Sequence, residues 1–310
     1  MKVMNYTKYG AAQVLTPAAR PTPRPGKQQA LVRVHATSVN PIDWKLRSGS
    51  IRFVMPQRFP VTPGFDVAGV IEALGEDMGA FHVGQRVYAR LNSPGGASAT
   101  HALADAAVLA AMPDGLSFTD GAAIPLAGLT AWQALVTQGG LQAGQRVLVI
   151  GASGGVGHFG VQIAKAKGAF VAGVCSGRNA ALVRDLGADV VHDYTTAPDL
   201  SEHGPYDLVL DCIGTYDVAQ LEAAMRDGGA RLCPNLNPRE LLRWALPRRV
   251  RTLPVLLKAR AVDLDALSAL VERGALRVHI DSTFPLEQLA QAHERSESGR
   301  VTGKVVVTVD

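Results

Sequence analysis

The chain has 310 residues, 47% of them hydrophobic and 19% charged, with 32 glycines, a globular balance long enough for two domains with separate cores. Its formal charge of +4 is small for this length, so a nucleic-acid partner is not demanded, although an anionic ligand is mildly favoured. The start, Met1 to Tyr6, lacks a signal-peptide pattern, and no apolar run approaches the roughly 20 residues of a membrane span.

In chain order, Pro17 to Pro25 carries four prolines and reads as an extended loop. Ala30 to Ala36 alternates as a strand, and Val67 to Leu74 and Gln85 to Ala89 are further β-like runs separated by glycine turns. The pattern changes near Thr119. From there apolar runs alternate with helical stretches: Ala122–Val136 helix, Arg146–Ile150 strand, Val156–Lys167 helix, Phe170–Val174 strand and Ala180–Leu186 helix. Short strands follow at Val190-Val191, Leu208–Leu210 and Gly229–Cys233. Near-continuous apolar strands alternating with helices imply a parallel sheet buried on both faces. A helix at Leu264–Arg273, the segment Thr283-Phe284-Pro285, a helix through His293 and a last strand from Lys304 to Val309 close the chain. That last strand is expected to rejoin the N-terminal β-rich part. Residues 1–120 and 265–310 would then form one domain, and 121–264 an inserted α/β domain.

The segment Ala152-Ser153-Gly154-Gly155-Val156-Gly157 lies between a strand and a helix, the context that a dinucleotide fingerprint requires. Glycines let backbone N–H groups approach a pyrophosphate, and the helix N-terminus favours its charge. The next strand runs into Cys175-Ser176-Gly177-Arg178-Asn179 and ends without the acid that usually binds the ribose 2′-OH of NADH. A hydroxyl, a guanidinium and an amide suit a 2′-phosphate, pointing to NADPH. The alternative reading is that Ser176 caps the next helix and Arg178 is solvated.

Ordered motifs along nearly the whole chain carry a family resemblance: Ser38-Val39-Asn40-Pro41-Ile42-Asp43-Trp44-Lys45, Pro63-Gly64-Phe65-Asp66-Val67-Ala68-Gly69, Val83-Gly84-Gln85-Arg86-Val87 and Ala127-Gly128-Leu129-Thr130-Ala131. After the glycine turn come Leu186-Gly187-Ala188-Asp189, Asp193-Tyr194, Tyr206-Asp207-Leu208-Val209-Leu210-Asp211 and Gly303-Lys304-Val305-Val306. With these the chain resembles the zinc-free quinone oxidoreductase branch of the medium-chain dehydrogenase/reductase superfamily, which also holds enone reductases. The resemblance implies an α/β protein, with a GroES-like β-rich domain beside a Rossmann doubly wound parallel sheet and the active site in the cleft between them. It places Asn40 and Lys45 near the nicotinamide and Thr130 beside its ribose. Ser153, Gly154, Gly155 and Val156 would follow the pyrophosphate, and Ser176, Arg178, Asn179 and Tyr194 would surround the 2′-phosphate. Ile213, Asn235 and Arg300 match further positions near the cofactor. Asp43 is a catalytic candidate, with a structural role holding the Asn40 loop as the alternative. A homodimer is expected by the same analogy.

Zinc-dependent relatives carry a Cys where this chain has Asn40, a His–Glu pair at Phe65-Asp66 and a later Cys near Leu126. An amide, a phenyl ring and an alkyl chain do not make a catalytic zinc site, so no metal is expected. Cys175, Cys212 and Cys233 are odd in number and scattered, which fits free thiols in a cytoplasmic protein. The expected reaction is hydride transfer from NADPH to a quinone or α,β-unsaturated carbonyl, a small-molecule substrate. A metal-free alcohol or carbonyl dehydrogenase and a non-catalytic NADPH-binding protein are the alternatives. The basic run Arg239, Arg243, Arg248, Arg249 and Arg251 reads as a solvated, lid-like segment rather than a membrane patch, because Pro247 and Pro254 interrupt it. His35, His101 and His293 show no metal-like spacing and read as ordinary residues.

Overall fold

A computed structural model describes residues 1–214, 216, 218–234 and 249–309. The chain divides into two compact units, Met1–Ala127 with Ala259–Glu272 and Val278–Asp310, and Gly128–Lys258 with Arg273–Arg277. The junctions thus lie a few residues from the expected 120 and 264, the first of them inside a helix, Pro125–Trp132.

The first unit is β-rich. Its strands are β1 (Lys2–Asn5), β2 (Thr16–Ala19), β3 (Gln29–Val39), β4 (Asp66–Leu74), β5 (Arg86–Arg90), β6 (His101–Asp105) and β7 (Leu109–Ala111), joined from the chain's end by β14 (Ile280–Pro285) and β15 (Lys304–Thr308). The main sheet runs β14-β15-β3-β4-β5-β7, with β6 also on β3. β15 pairs antiparallel with β3, Val305 opposite Val39, so the tail does rejoin the N-terminal sheet. Val32, Val34, Val67, Val87, Val305 and Val307 lie in one core, as β-branched residues on a half-buried pleat should. Pro17 to Ala19, expected as loop, instead belong to β2, which pairs with β1; a two-stranded ribbon has free edges that tolerate proline. Helix α1 (Pro41–Ser48) follows β3 directly, its proline at the first turn where a missing N–H costs nothing.

The second unit holds β8 (Arg146–Ile150), β9 (Phe170–Cys175), β10 (Val190–Asp193), β11 (Tyr206–Asp211), β12 (Met225–Cys233) and β13 (Arg251–Pro254). All neighbours are parallel, in the order β10-β9-β8-β11-β12-β13. This is a doubly wound sheet whose order reverses at β8. The single helix expected over Ala122–Val136 is three pieces: α2 (Phe118–Ala123), α3 (Pro125–Trp132) and a π-helical stretch, Gln133–Gln138. Pro125 is the reason, since it cannot donate to the preceding turn. The helices α4 (Gly157–Ala166), α5 (Ala180–Asp185) and α6 (Val218–Ala224) connect the strands, while α7 (Ala261–Glu272) and α8 (Leu289–Glu297) belong to the first unit. Among the described residues no helix is long and apolar enough to cross a membrane.

Candidate functional site

In the first unit, Asn40 follows β3 and caps the start of α1, where it is 2% exposed. Its backbone N–H donates to Asp43 Oδ2 at 2.8 Å, and Asp43 Oδ1 accepts the Gly64 N–H at 3.2 Å. Asp43 therefore faces inward and ties two chain segments together. Burial pushes its carboxyl up to about 7 against the two N–H donors, with the Asp66 charge adding to the rise. The Asn40 amide is also engaged: its Nδ2 donates to Asp66 Oδ2 at 2.8 Å, and its Oδ1 accepts from the Lys304 ammonium. Asp66 in turn accepts from the Ser38 hydroxyl and from the Leu126 N–H at 2.7 Å, and lies 3.7 Å from Lys304 Nζ. Burial holds the Lys304 ammonium below its ordinary pKa, while Asp66 and Asp43 oppose the shift. Asn40, Asp43, Asp66 and Lys304 thus form one buried polar network. Lys45, one turn on from Asn40, is half-buried, with Nζ 5.6 Å from the Trp44 ring centre. Arg300 is exposed, and its bonds run to Ser298 and Arg295 rather than to Asn40, Asp43 or Lys45.

In the second unit the glycine turn leaves β8, the strand at which the sheet order reverses, and enters the 10-residue α4. Gly151 has φ +77°, a left-handed conformation natural to glycine, and its N–H and that of Ala152 both donate to the Val174 carbonyl of β9. A Cβ at Gly157 would collide with the Gly151 carbonyl oxygen, so the first residue of α4 can lie this close to the turn only as glycine. At Gly154 the same atom would meet only the Gly151 oxygen, at 3.3 Å, leaving the outer side of the turn open. Ser153 is buried and its Oγ accepts from Asn179 Nδ2 at 2.9 Å, which brings together two predicted cofactor residues from different turns. Ile213, 52% exposed, packs on Gly151; a Cβ there would lie 2.9 Å from its Cδ1. Thr130 is buried on α3, while Gly155 and Val156 are partly exposed along the turn.

Ser176 begins the short 3₁₀ turn Gly177–Asn179 and makes no side-chain cap bond, so capping does not occupy its hydroxyl. Arg178 is exposed and has no ion pair with a described residue, and Tyr194, which follows the end of β10, is 56% exposed. Asn235 lies outside the described residues, as do Arg239, Arg243 and Arg248. Of the rest of that basic run, Arg249 pairs with Asp227 and Arg251 opens β13. His101 pairs with Glu72, His35 stacks on Phe118, and burial beside Arg47 pushes His293 down to about 3.

Two residues that the motifs contain without a role, Asp211 and Asp193, gain one in the fold. The buried pair Asp211–Arg231 joins the ends of β11 and β12, and Asp211 Oδ1 also accepts the N–H groups of Ile213 and Gly214, fixing the turn that carries Ile213. Asp193, at the end of β10, lies in register with Cys175 of β9 and places its Oδ2 beside Gly177. Its only sequence signal was its place in the Asp193-Tyr194 motif. Among the described residues no group of three or more His, Cys, Asp or Glu side chains could hold a metal ion.

A family model for alcohol dehydrogenase GroES-like domains matches residues 26–123, and one for zinc-binding dehydrogenases matches residues 186–307. The chain is similar to a chloroplast envelope quinone oxidoreductase homolog of Arabidopsis thaliana, 34% identical over 322 aligned positions, covering 99% of this chain and 98% of the relative. Its structure is similar to that of the quinone oxidoreductase from Coxiella burnetii, with a TM-score of 0.91, 33% identity and coverage of 100% and 99%. It also resembles a solved NAD-dependent alcohol dehydrogenase, with a TM-score of 0.88, 28% identity and full coverage of both chains. With a GroES-like β unit, a Rossmann-like parallel sheet and these relatives, the chain belongs to the quinone oxidoreductases of the medium-chain dehydrogenase/reductase superfamily and is an oxidoreductase of the kind that uses a nicotinamide cofactor.

Proposed function

We propose that the chain is an NADPH-dependent reductase that delivers hydride to a quinone or an α,β-unsaturated carbonyl without a metal ion. The observation that carries this is the open glycine turn at the reversal point of the parallel sheet, with Ser176 and Arg178 at the end of the neighbouring strand. Ser153, Gly154, Gly155 and Val156 would hold the pyrophosphate at the N-terminus of α4, where backbone N–H groups and the helix dipole favour anions. Ser176, Arg178, Asn179 and Tyr194 would hold the 2′-phosphate, Arg178 by charge-assisted hydrogen bonds. A relative of the same fold is named as NAD-dependent, so coenzyme choice falls to such residues rather than to the fold.

When bound, a reduced nicotinamide supplies the hydride. Asn40 and Lys45 would serve the acceptor: the second N–H of the Asn40 amide and the Lys45 ammonium are donors for a carbonyl oxygen gaining negative charge. Asp66 and Lys304 hold that amide in one orientation, Asp43 holds the Asn40 backbone, and solvent supplies the proton. The metal-free reading is supported by the donor set. Asp66 already accepts from Ser38, Asn40 and Leu126 beside an ammonium, and Asn40, Phe65 and Leu126 bring neither thiolate nor imidazole. A homodimer, on family analogy, and a cytoplasmic location, from the scattered cysteines, remain part of the proposal.

The test is a screen of NADPH and NADH oxidation against quinones and enones. Acceptor-dependent oxidation faster with NADPH is expected, and equal rates with both coenzymes would refute the assignment of the phosphate site. Arg178→Ala should raise KM for NADPH by roughly ten- to a hundredfold while changing KM for NADH little.

A further inference from the structure

The end of β9 is where a doubly wound sheet meets the adenosine ribose, and an acid there accepts the 2′-OH while excluding a phosphate. β9 itself ends in Cys175, Ser176 and Gly177 and carries no acid. Cys175 lies in register with Asp193 of β10, so the next strand delivers a carboxylate to the same edge. Asp193 is held in its own turn and lies against the turn of β9. Its Oδ1 accepts the Thr195 N–H at 2.9 Å and the Thr195 hydroxyl at 2.8 Å. Its Oδ2 lies so near Gly177 that a Cβ built on residue 177 would collide with it. The two Thr195 donors hold the carboxyl below its ordinary pKa, so it is ionised at neutral pH. It is not neutralised by Arg178, which has no ion pair with a described residue.

We propose that Asp193 is a coenzyme-specificity residue: its carboxylate accepts the ribose 2′-hydroxyl of NADH and repels the 2′-phosphate of NADPH, so that it works against Arg178 across the Ser176–Arg178 turn. Asp193 has this role only if the dinucleotide lies on the glycine turn as proposed above. The two residues set opposite preferences on one edge. The outcome is a preference for NADPH that is smaller than Arg178 alone would give and that one charge can move. A carboxylate within a few ångströms of a phosphate dianion is a direct repulsion, weakened but not abolished by solvent.

The experiment is titration of the full chain with NADPH and with NADH, read by nicotinamide fluorescence without acceptor, for the unaltered protein, Asp193→Asn and Arg178→Ala. Asparagine keeps an oxygen for the two Thr195 donors and removes the charge. The ratio of NADPH to NADH affinity should rise about tenfold in Asp193→Asn, with NADPH tightened. Equal weakening of both coenzymes, or an unchanged ratio, would show that Asp193 only supports the turn and would overturn the proposal. Should Asp193→Asn fail to fold, Asp193→Ser, with a short polar acceptor, gives the same comparison. The phosphate site is judged separately: loss of NADPH affinity in Arg178→Ala together with an unchanged ratio in Asp193→Asn sinks only the role of Asp193. Absence of binding by either coenzyme sinks both readings.

Discussion

Lys304→Met removes the one ammonium in the buried network around Asn40. Lys304 is 3% exposed, donates to Asn40 Oδ1 and lies 3.7 Å from Asp66 Oδ2. Methionine conserves most of the volume but leaves Asp66 a buried carboxylate without its near cation. Breaking a buried pair by deleting one partner costs about 3–5 kcal/mol. Asp66 keeps three neutral donors, from Ser38, Asn40 and Leu126, which places this case at the lower end, about 3 kcal/mol. For a unit of this size that corresponds to a fall in Tm of about 6–12 °C. Calorimetry and urea unfolding of Lys304→Met, Asp66→Asn and the double variant form a thermodynamic cycle. The double variant, with no uncompensated charge, should be more stable than the sum of the singles by at least about 1 kcal/mol. A Lys304→Met change below about 0.5 kcal/mol, or strictly additive losses, would show that the network contributes no coupling and refute the reasoning.

Asp43 supplies a pH dependence of unusual sign. Unfolded it ionises near pH 4, whereas in the fold its carboxyl is pushed up to about 7. Between those values the folded state holds a proton the unfolded state has released, so stability declines as pH rises from about 4 to about 7 and levels off above. Asp43→Asn should remove roughly 3 kcal/mol of stability change between pH 5 and 8, seen as a flatter urea midpoint against pH; identical slopes would count against the shift. At the glycine turn two alanine variants should separate. Gly157→Ala, clashing with the Gly151 carbonyl, should lose about 1–3 kcal/mol as well as dinucleotide affinity. Gly154→Ala should keep its Tm and lose affinity alone, because only the open side of the turn changes. Melting curves alongside coenzyme titration decide this, and equal Tm losses would refute it.

Local pattern was enough to find most strands and helices, the glycine turn, and the return of the tail strand to the N-terminal sheet. Each depends on short-range periodicity or on which faces must be buried. The break at Pro125 was equally local. What only the tertiary structure decided is which charges meet. Lys304 reaches Asn40 from 264 residues away, and Asp66 collects donors from β3, from Asn40 just after it and from the start of α3. Strand order and register create those encounters, and side-chain spacing along the chain does not encode them. The edge proposed for the coenzyme shows this most plainly. At the end of β9 the sequence presents an arginine and no acid, the ground for expecting NADPH. The parallel pairing of β9 with β10 then sets Asp193 beside Gly177, because neighbouring parallel strands end at a common edge whatever lies between them in the chain.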